Sequence, residues 1–286
     1  MSAEPTSRKI PAEVKRAVRQ RCGFGCVACG MPLFEYEHML EFATVQRHVA
    51  EEITLLCPDH HAEKTRGGIT ADLVREWNAS PFNLRTEMSK PRPLYFHGNS
   101  CIFTLGSISI RNEMEESHPH FQAITVDGKE LLGFEFDGGR PLLNLSLYDH
   151  QDQPLVQVEN SELMYRTDQW DVEWVGQTLT VRRAQRQPTI EIDFVVPDQV
   201  VIRRAQFRYR GIEFCVEPTF AVITNTGGLI VNSYIKQAWT AIAIGHDSES
   251  AGPGGFRFTD VPRHVPSAVR AQHLQEARAT AALFSA

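Results

Sequence analysis

Cys26-Val27-Ala28-Cys29, then Glu37-His38, then Cys57-Pro58-Asp59-His60-His61-Ala62-Glu63-Lys64-Thr65: how these three pieces are read decides the fold of the N-terminal third. Cys26 and Cys29 enclose two residues, and so do Cys57 and His60. Thiolate and imidazole ligands in two such pairs suit a tetrahedral, structural zinc site. Such a site uses Cys26, Cys29, Cys57 and His60, and leaves Glu37, His38 and His61 for chemistry. His60 and His61 compete for the fourth position. The interval from Cys57 to His60 repeats that of the first pair, which gives zinc to His60 and lets His61 point away. Cys22 stands four residues before Cys26, a poorer spacing, and is read as a packed or capping cysteine.

The ordered set resembles the HNH endonuclease family in its zinc-ribbon ββα-metal form. That pattern runs as a C-x-x-C knuckle, an acidic-His dipeptide, a middle Asn, and L-C-x-x-C-H-x-x-K-T. Cys26 and Cys29 match the knuckle, Glu37-His38 the dipeptide, and Leu56 to Thr65 the last block, with His60 replacing the fourth cysteine. The match covers residues 8–80, under a third of the chain. Glu52 departs from the pattern: it stands five residues before Cys57, where the Asn is expected. The resemblance implies a metal-dependent DNA endonuclease whose products carry a 5′-phosphate and a 3′-hydroxyl.

The residues suit that chemistry. Phosphodiester hydrolysis needs a water deprotonated near phosphorus, and a histidine titrating near neutrality does this well, so His38 is the expected general base. It also needs a divalent cation on a phosphate oxygen and on the leaving 3′-oxygen. Glu37 and His61 are the expected ligands of one Mg²⁺ or Mn²⁺ that keeps several waters. Lys64 or Arg66 could neutralise the scissile phosphate, and a solvated helix charge is the plainer alternative. For the whole site the alternative is a non-catalytic zinc ribbon, an adaptor that binds nucleic acid or protein and cuts nothing.

The chain has 286 residues, 42% hydrophobic and 22% charged, with a formal net charge of −6. That length allows two domains, each with its own core. No apolar run is long enough to cross a bilayer, and Ala238 to Ile244 reads as a buried strand. The polar N-terminus shows no signal peptide, so the expected location is cytoplasmic. A C-x-x-C among six cysteines then favours metal over disulfide, with Cys101 and Cys215 as ordinary buried thiols.

Charge is unevenly placed. Arg8, Lys9, Lys15, Arg16, Arg19 and Arg21 face only Glu4 and Glu13 over residues 1–30, whereas residues 31–63 are strongly acidic. A basic helix beside metal-binding acids could hold a phosphate backbone, and a solvated amphipathic helix is the alternative.

Ile10, Val14 and Val18 recur at helical spacing, and Pro11 suits a first turn, which predicts a helix over 10–21. Strands are expected at 35–40 and 53–56, a helix at 60–66, and a helix over 71–78 capped by Thr70. That order is strand, loop, strand, helix. The polar stretch 83–92, bracketed by prolines, reads as a linker.

Beyond it the pattern turns to period two. Strands are expected around 121–125, 142–148, 155–159, 179–182, 190–194 and 212–216, with turn residues between them. The expected fold class is therefore α+β: a zinc-stapled ββα-metal domain at 1–90, an all-β domain at 94–245, and a flexible link with a C-terminal helix at 246–286. A sandwich is the first choice for the all-β domain and a β-solenoid the alternative. Leu274, Ala277, Ala281 and Phe284 would stripe the last helix, for docking on its own domain or on a second copy in a homo-oligomer. Arg182, Arg183, Arg186, Arg203, Arg204, Arg208 and Arg210 could line a DNA track or recognise a phosphorylated signal. Solvent-facing strand positions give the same pattern. Core packing is the simpler reading of Trp170 and Trp174. A nuclease joined to a separate β module would be a regulated nuclease, such as one used against foreign DNA, an expectation from architecture alone.

Overall fold

Pro11, at φ −58°, opens the first helix, α1 (Ala12–Arg21). Val18 on α1 is fully buried, and Val14 and Ile10 pack beside it. In this computed structural model, residues 9–40, 45–115, 118–246, 252 and 254–284 are described. The chain divides into two units, the first being Met1–Arg92 with Met164–Trp174 and Val181–Gln187. The second is Pro93–Leu163, Val175–Thr180 and Pro188–Ala286. The return of two distant segments to the N-terminal unit leaves no periodic trace in the sequence.

In the first unit, α1 leads to the knuckle, then to strand β1 (Glu35–His38). A 3₁₀ turn at Ala50–Glu52 precedes β2 (Ile53–Leu56), and α2 (Pro58–Thr65) follows at once. β1 and β2 pair antiparallel, with Glu37 opposite Thr54 and His38 opposite Ile53. Every residue of β2 is buried, and Ile53, Leu55 and Leu56 join Val18, Val27 and Val74 in one small core. α3 (Ala71–Ala79) begins where the Thr70 hydroxyl accepts from Leu73 N–H at 3.2 Å. α3 thus starts where the sequence marks it, after Thr70, whereas α2 starts two residues before the expected 60–66, because Pro58 suits a first helical turn.

The stretch read as a linker is structural at its start. Phe82–Thr86 forms a short helix, α4, and Asn83 is fully buried. The Asn83 amide donates to the Gly23 carbonyl at 2.9 Å. A Cβ on Gly25 would meet the Asn83 nitrogen at 2.4 Å and the Gly30 carbonyl oxygen at 2.7 Å, so the loop closes only around glycine. Polar composition pointed to a linker because a buried amide with one specific partner looks the same in sequence as a solvated one.

The second unit is mostly sheet. One sheet orders Phe256–Phe258, Thr240–Ile244, His120–Val126, Lys129–Asp137, Arg140–Tyr148 and Pro154–Glu159 side by side. The other carries Gln187–Val195, Gln199–Tyr209, Ile212–Glu217, Phe220–Ile223 and Gly228–Ile230 in sequence order. Alternation explains which face is buried: Leu143, Leu145 and Leu147 point inward, while Asn144 and Ser146 are half-exposed. Phe103, on a strand paired parallel to Gln199–Tyr209, meets Phe134 and Phe121 of the first sheet at ring distances of 5.0 and 5.9 Å. Thr240–Ile244 is buried along its length. No helix among the described residues is long and apolar enough to cross a membrane. The fold is mixed α+β, with sheets predominating and a C-terminal helix.

The segment expected as a flexible link contains a strand. Phe256–Phe258 pairs parallel with Thr240–Ile244, and Arg257 donates to the Thr240 carbonyl at 3.0 Å. Residues 247–251 and 253 of that segment lie outside the described residues. The last helix, α5 (Ser267–Ala282), sets Leu274, Ala277 and Ala281 against Cys215, Phe220 and Val222 of its own unit. Phe284, the fourth residue of the expected stripe, is 58% exposed, because the helix has already ended.

Candidate metal centre and its neighbouring histidines

The knuckle turn holds Cys26 and Cys29 close by two backbone bonds: Gly30 N–H donates to the Cys26 carbonyl at 2.7 Å, and Cys26 N–H to the Met31 carbonyl at 3.0 Å. Val27 N–H donates to the Leu55 carbonyl at 2.9 Å, which fastens the turn to β2. Cys57 ends β2 and caps α2, so His60 lies on the first turn of that helix. The ligand atoms of Cys26, Cys29, Cys57 and His60 all lie within 4.8 Å of one another.

The spacing suits one tetrahedral ion. Two thiolates, each about 2.3 Å from zinc, stand about 3.8 Å apart, and a thiolate and an imidazole about 3.6 Å. Cys29 Sγ and Cys57 Sγ are 3.8 Å apart, and Cys26 Sγ and His60 Nδ1 are 3.5 Å apart. The Cys57–His60 edge, at 3.1 Å, is shorter. The cluster could therefore hold a zinc ion. Cys26 and Cys29 share a hydrogen bond that holds the Cys26 thiol below the ordinary value and the Cys29 thiol well above it. The His60 ring meets Trp77 edge-on at 5.5 Å, which fixes its orientation from α3. Cys22 is excluded from the cluster: it is fully buried, and its sulfur lies 3.8 Å from the Thr54 hydroxyl.

His61 turns away from the cluster toward β1. Its Nε2 lies 3.0 Å from Glu37 Oε2, and its Nδ1 3.7 Å from Glu35. Glu37 has a second partner, since the Lys64 ammonium bonds its other oxygen. Lys64 is therefore engaged with a carboxylate rather than solvated. Arg66 is exposed and pairs with Glu63 at 3.7 Å.

His38 closes β1 and meets a residue that sequence reasoning missed. Its Nε2 lies 3.2 Å from His48 Nδ1. Burial lowers the His38 pKa from its ordinary value, and the neighbouring His48 lowers it further. His48 lies ten residues along, in a loop with no periodic signal, so only folding brings the rings together. Residues 41–44 of that loop lie outside the described residues.

Among the described residues, Glu52 pairs with Arg47 rather than with Glu37 or His61. Its carboxylate takes a two-pronged bond from Arg47, with Nε to Oε2 at 3.0 Å. That bond holds the Glu52 carboxyl below its usual value. Its backbone carbonyl accepts from Met39 N–H at 2.8 Å, just past the end of β1. Among the described residues, Cys26, Cys29, Cys57 and His60 are the only set of three or more converging metal-ligand side chains.

Four of the seven arginines singled out in the sequence pair with carboxylates. Arg203 pairs with Asp193, Arg204 with Glu217, and Arg208 with Glu213. Within the first unit Arg182 pairs with Glu173 at 3.0 Å. An alternating, solvated strand pattern accounts for these four better than a continuous cationic track. Trp170 and Trp174 are half-buried rather than core: Arg16 lies over the first ring at 4.7 Å and Arg92 over the second at 4.8 Å.

No protein-family model, no curated protein and no solved structure matches the chain.

Proposed function

We propose that the N-terminal unit is a metal-dependent DNA endonuclease of the HNH type, stapled by zinc at Cys26, Cys29, Cys57 and His60. One observation carries the reading. Consecutive histidines at the start of α2 part company, His60 joining the thiols at 3.1–3.5 Å and His61 meeting Glu37 at 3.0 Å. A ribbon that only needed zinc would not require a carboxylate–histidine pair and a second histidine, His38, on the adjoining strand.

Glu37 and His61 would hold the divalent cation, Mg²⁺ or Mn²⁺. When bound there, it would supply Lewis-acid contact to a phosphate oxygen and to the leaving 3′-oxygen. His38 accepts the proton of the attacking water, and its lowered pKa keeps the ring neutral, and so able to accept, at pH 7. His48, 3.2 Å away, shares a hydrogen with His38 and fixes the ring that must receive the proton. Arg47 and Glu52 anchor the loop that carries His48 to the residue before β2. Lys64, on Glu37 in this structure, would be released to the phosphate when the cation takes its place on the carboxylate.

The same Lys64–Glu37 bond supports a second reading, a zinc ribbon that binds without cutting. An ammonium already occupies the carboxylate, and Glu52 adds a negative charge where the family has an amide. Supercoiled plasmid separates the two readings. The nuclease reading expects nicking that requires Mg²⁺ or Mn²⁺ and disappears in His38→Ala. Binding without nicking in either metal, by zinc-loaded protein, would favour the adaptor.

A further inference from the structure

A cavity of 230 Å³ opens on the first unit, between α1 and the returning segments, with Lys15, Arg16, Trp170, Glu173 and Arg186 in its wall. Its carboxylates are already spent. Asp171 accepts from Arg19 twice at 2.8 Å and from Arg182 at 3.2 Å, and Glu173 pairs with Arg182 at 3.0 Å and Arg19 at 3.3 Å. No carboxylate among the described residues pairs with Lys15, Arg16 or Arg186. Two of these cations are instead backed by rings, Lys15 over Tyr36 at 5.1 Å and Arg16 over Trp170 at 4.7 Å. Rings hold a cation in place without neutralising it. Three unneutralised cations, two of them half-buried, make a preorganised anion site.

The chemistry favours phosphate. A guanidinium fork matches two oxygens of a phosphate group, and an ammonium adds a point charge. The cavity is also tied to the candidate cleavage centre. Arg19 donates to the Tyr36 hydroxyl at 2.7 Å, and Glu37 is the next residue on β1. We infer that this cavity receives a non-scissile phosphate of the DNA backbone and sets where the duplex lies on the N-terminal unit. The DNA source rests on the nuclease reading; the phosphate preference does not.

The test uses the full chain carrying His38→Ala, so that binding is read without cutting. Lys15→Gln with Arg186→Gln leaves the Arg19–Asp171 pair and the Arg16–Trp170 stack in place. Dissociation constants for a short duplex of mixed sequence are measured over a range of salt. The expected result is roughly tenfold weaker binding, with a salt slope lower by about 1 to 2. Lys15→Arg with Arg186→Lys, which keeps the charges, should restore both. Unchanged affinity and slope in a variant with an unaltered melting temperature would overturn the inference. So would loss of inorganic phosphate or nucleotide binding with duplex binding intact, which would assign the cavity to a free ligand. In an otherwise wild-type chain the pair of substitutions should raise KM for plasmid and leave kcat alone. If the wild type never cuts but duplex binding responds as expected, the nuclease reading fails and the cavity assignment stands. If cutting depends on His38 and binding ignores the cavity, the reverse holds.

Discussion

The two units reach stability by different means. The second buries long alternating strands against one another, with Phe103, Phe121, Phe134, Phe207 and Phe214 all inside. The first has a small core centred on Val18, Val27, Ile53, Leu55, Leu56 and Val74, and sets polar clamps around it. One clamp is the four-residue metal cluster, and another is the buried Arg19–Asp171 pair, whose side chains are 6% and 4% exposed. A region with too little apolar surface to fold alone recruits a metal ion or distant chain segments; this unit has a ligand set that could hold the ion, and it takes in two distant segments. The unit with the small core is also the one that carries the candidate metal centre.

The contrast breaks first at the cluster. Removing zinc by chelation, or Cys57→Ser, should unfold the first unit and leave the second intact, because structural zinc contributes on the order of ten kcal/mol to small ribbons. Hydrogen exchange read separately over residues 12–79 of the first unit and over 120–163 and 188–244 of the second checks this. Uniform protection after Cys57→Ser would remove zinc from the folding of the first unit.

Chemistry should separate from stability at β1. His38→Ala should lower plasmid cleavage by roughly 10²–10⁴-fold, the usual contribution of a general base, while zinc content and melting temperature stay at wild-type values. Undiminished cutting would take His38 out of the reaction.

The polar clamp comes next. Asp171→Ala takes the two-pronged partner from the buried Arg19 guanidinium, leaving it Glu173 and the Tyr36 hydroxyl, and should cost the first unit about 3 kcal/mol. Arg19→Met with Asp171→Leu should recover much of that loss, since replacing both charges removes the desolvation cost. Urea unfolding followed by Trp77 fluorescence measures both, and a double variant as weak as the single one would contradict the account.

Smaller effects sharpen the site. Glu52→Gln frees Arg47 from its partner and should slow cleavage by up to about tenfold, about 1.4 kcal/mol on the barrier. Equal rates would place residue 52 outside the site. The pH–rate profile carries a sign. Burial and His48 hold His38 below the ordinary value of 6.5, so the base remains neutral there, and the acid limb of the rate should lie at lower pH. His48→Ala removes one lowering contribution and should move that limb upward. A downward shift would contradict the pairing.

Much of the first unit was legible in the sequence. Cys26 with Cys29, and Cys57 with His60, stand at spacings that one turn of backbone brings together, and Thr70 marks a helix start directly. What could not be read was made by distance. Asp171 finds Arg19 across 152 residues, and no local pattern announces that segment 164–174 belongs with α1. Asn83 looked like linker because one buried amide has no period. His48 was missed for the same reason, and Phe256–Phe258 because a short parallel strand among glycines resembles a loop. In the β unit, alternation located strands such as 142–148. It did not show that the intervening arginines would be paired with Asp193, Glu213 and Glu217.

The central claim is that one small frame keeps a fixed structural zinc beside a separate, exchangeable hydrolytic cation. The direct measurement is metal content and plasmid cleavage on the same preparation, as Mg²⁺ is titrated into zinc-loaded protein. The account predicts about one zinc per chain, unchanged throughout, with cleavage absent before Mg²⁺ and rising to saturation. Cleavage without Mg²⁺ or Mn²⁺, zinc displaced as Mg²⁺ is added, or a protein that carries no zinc would contradict it.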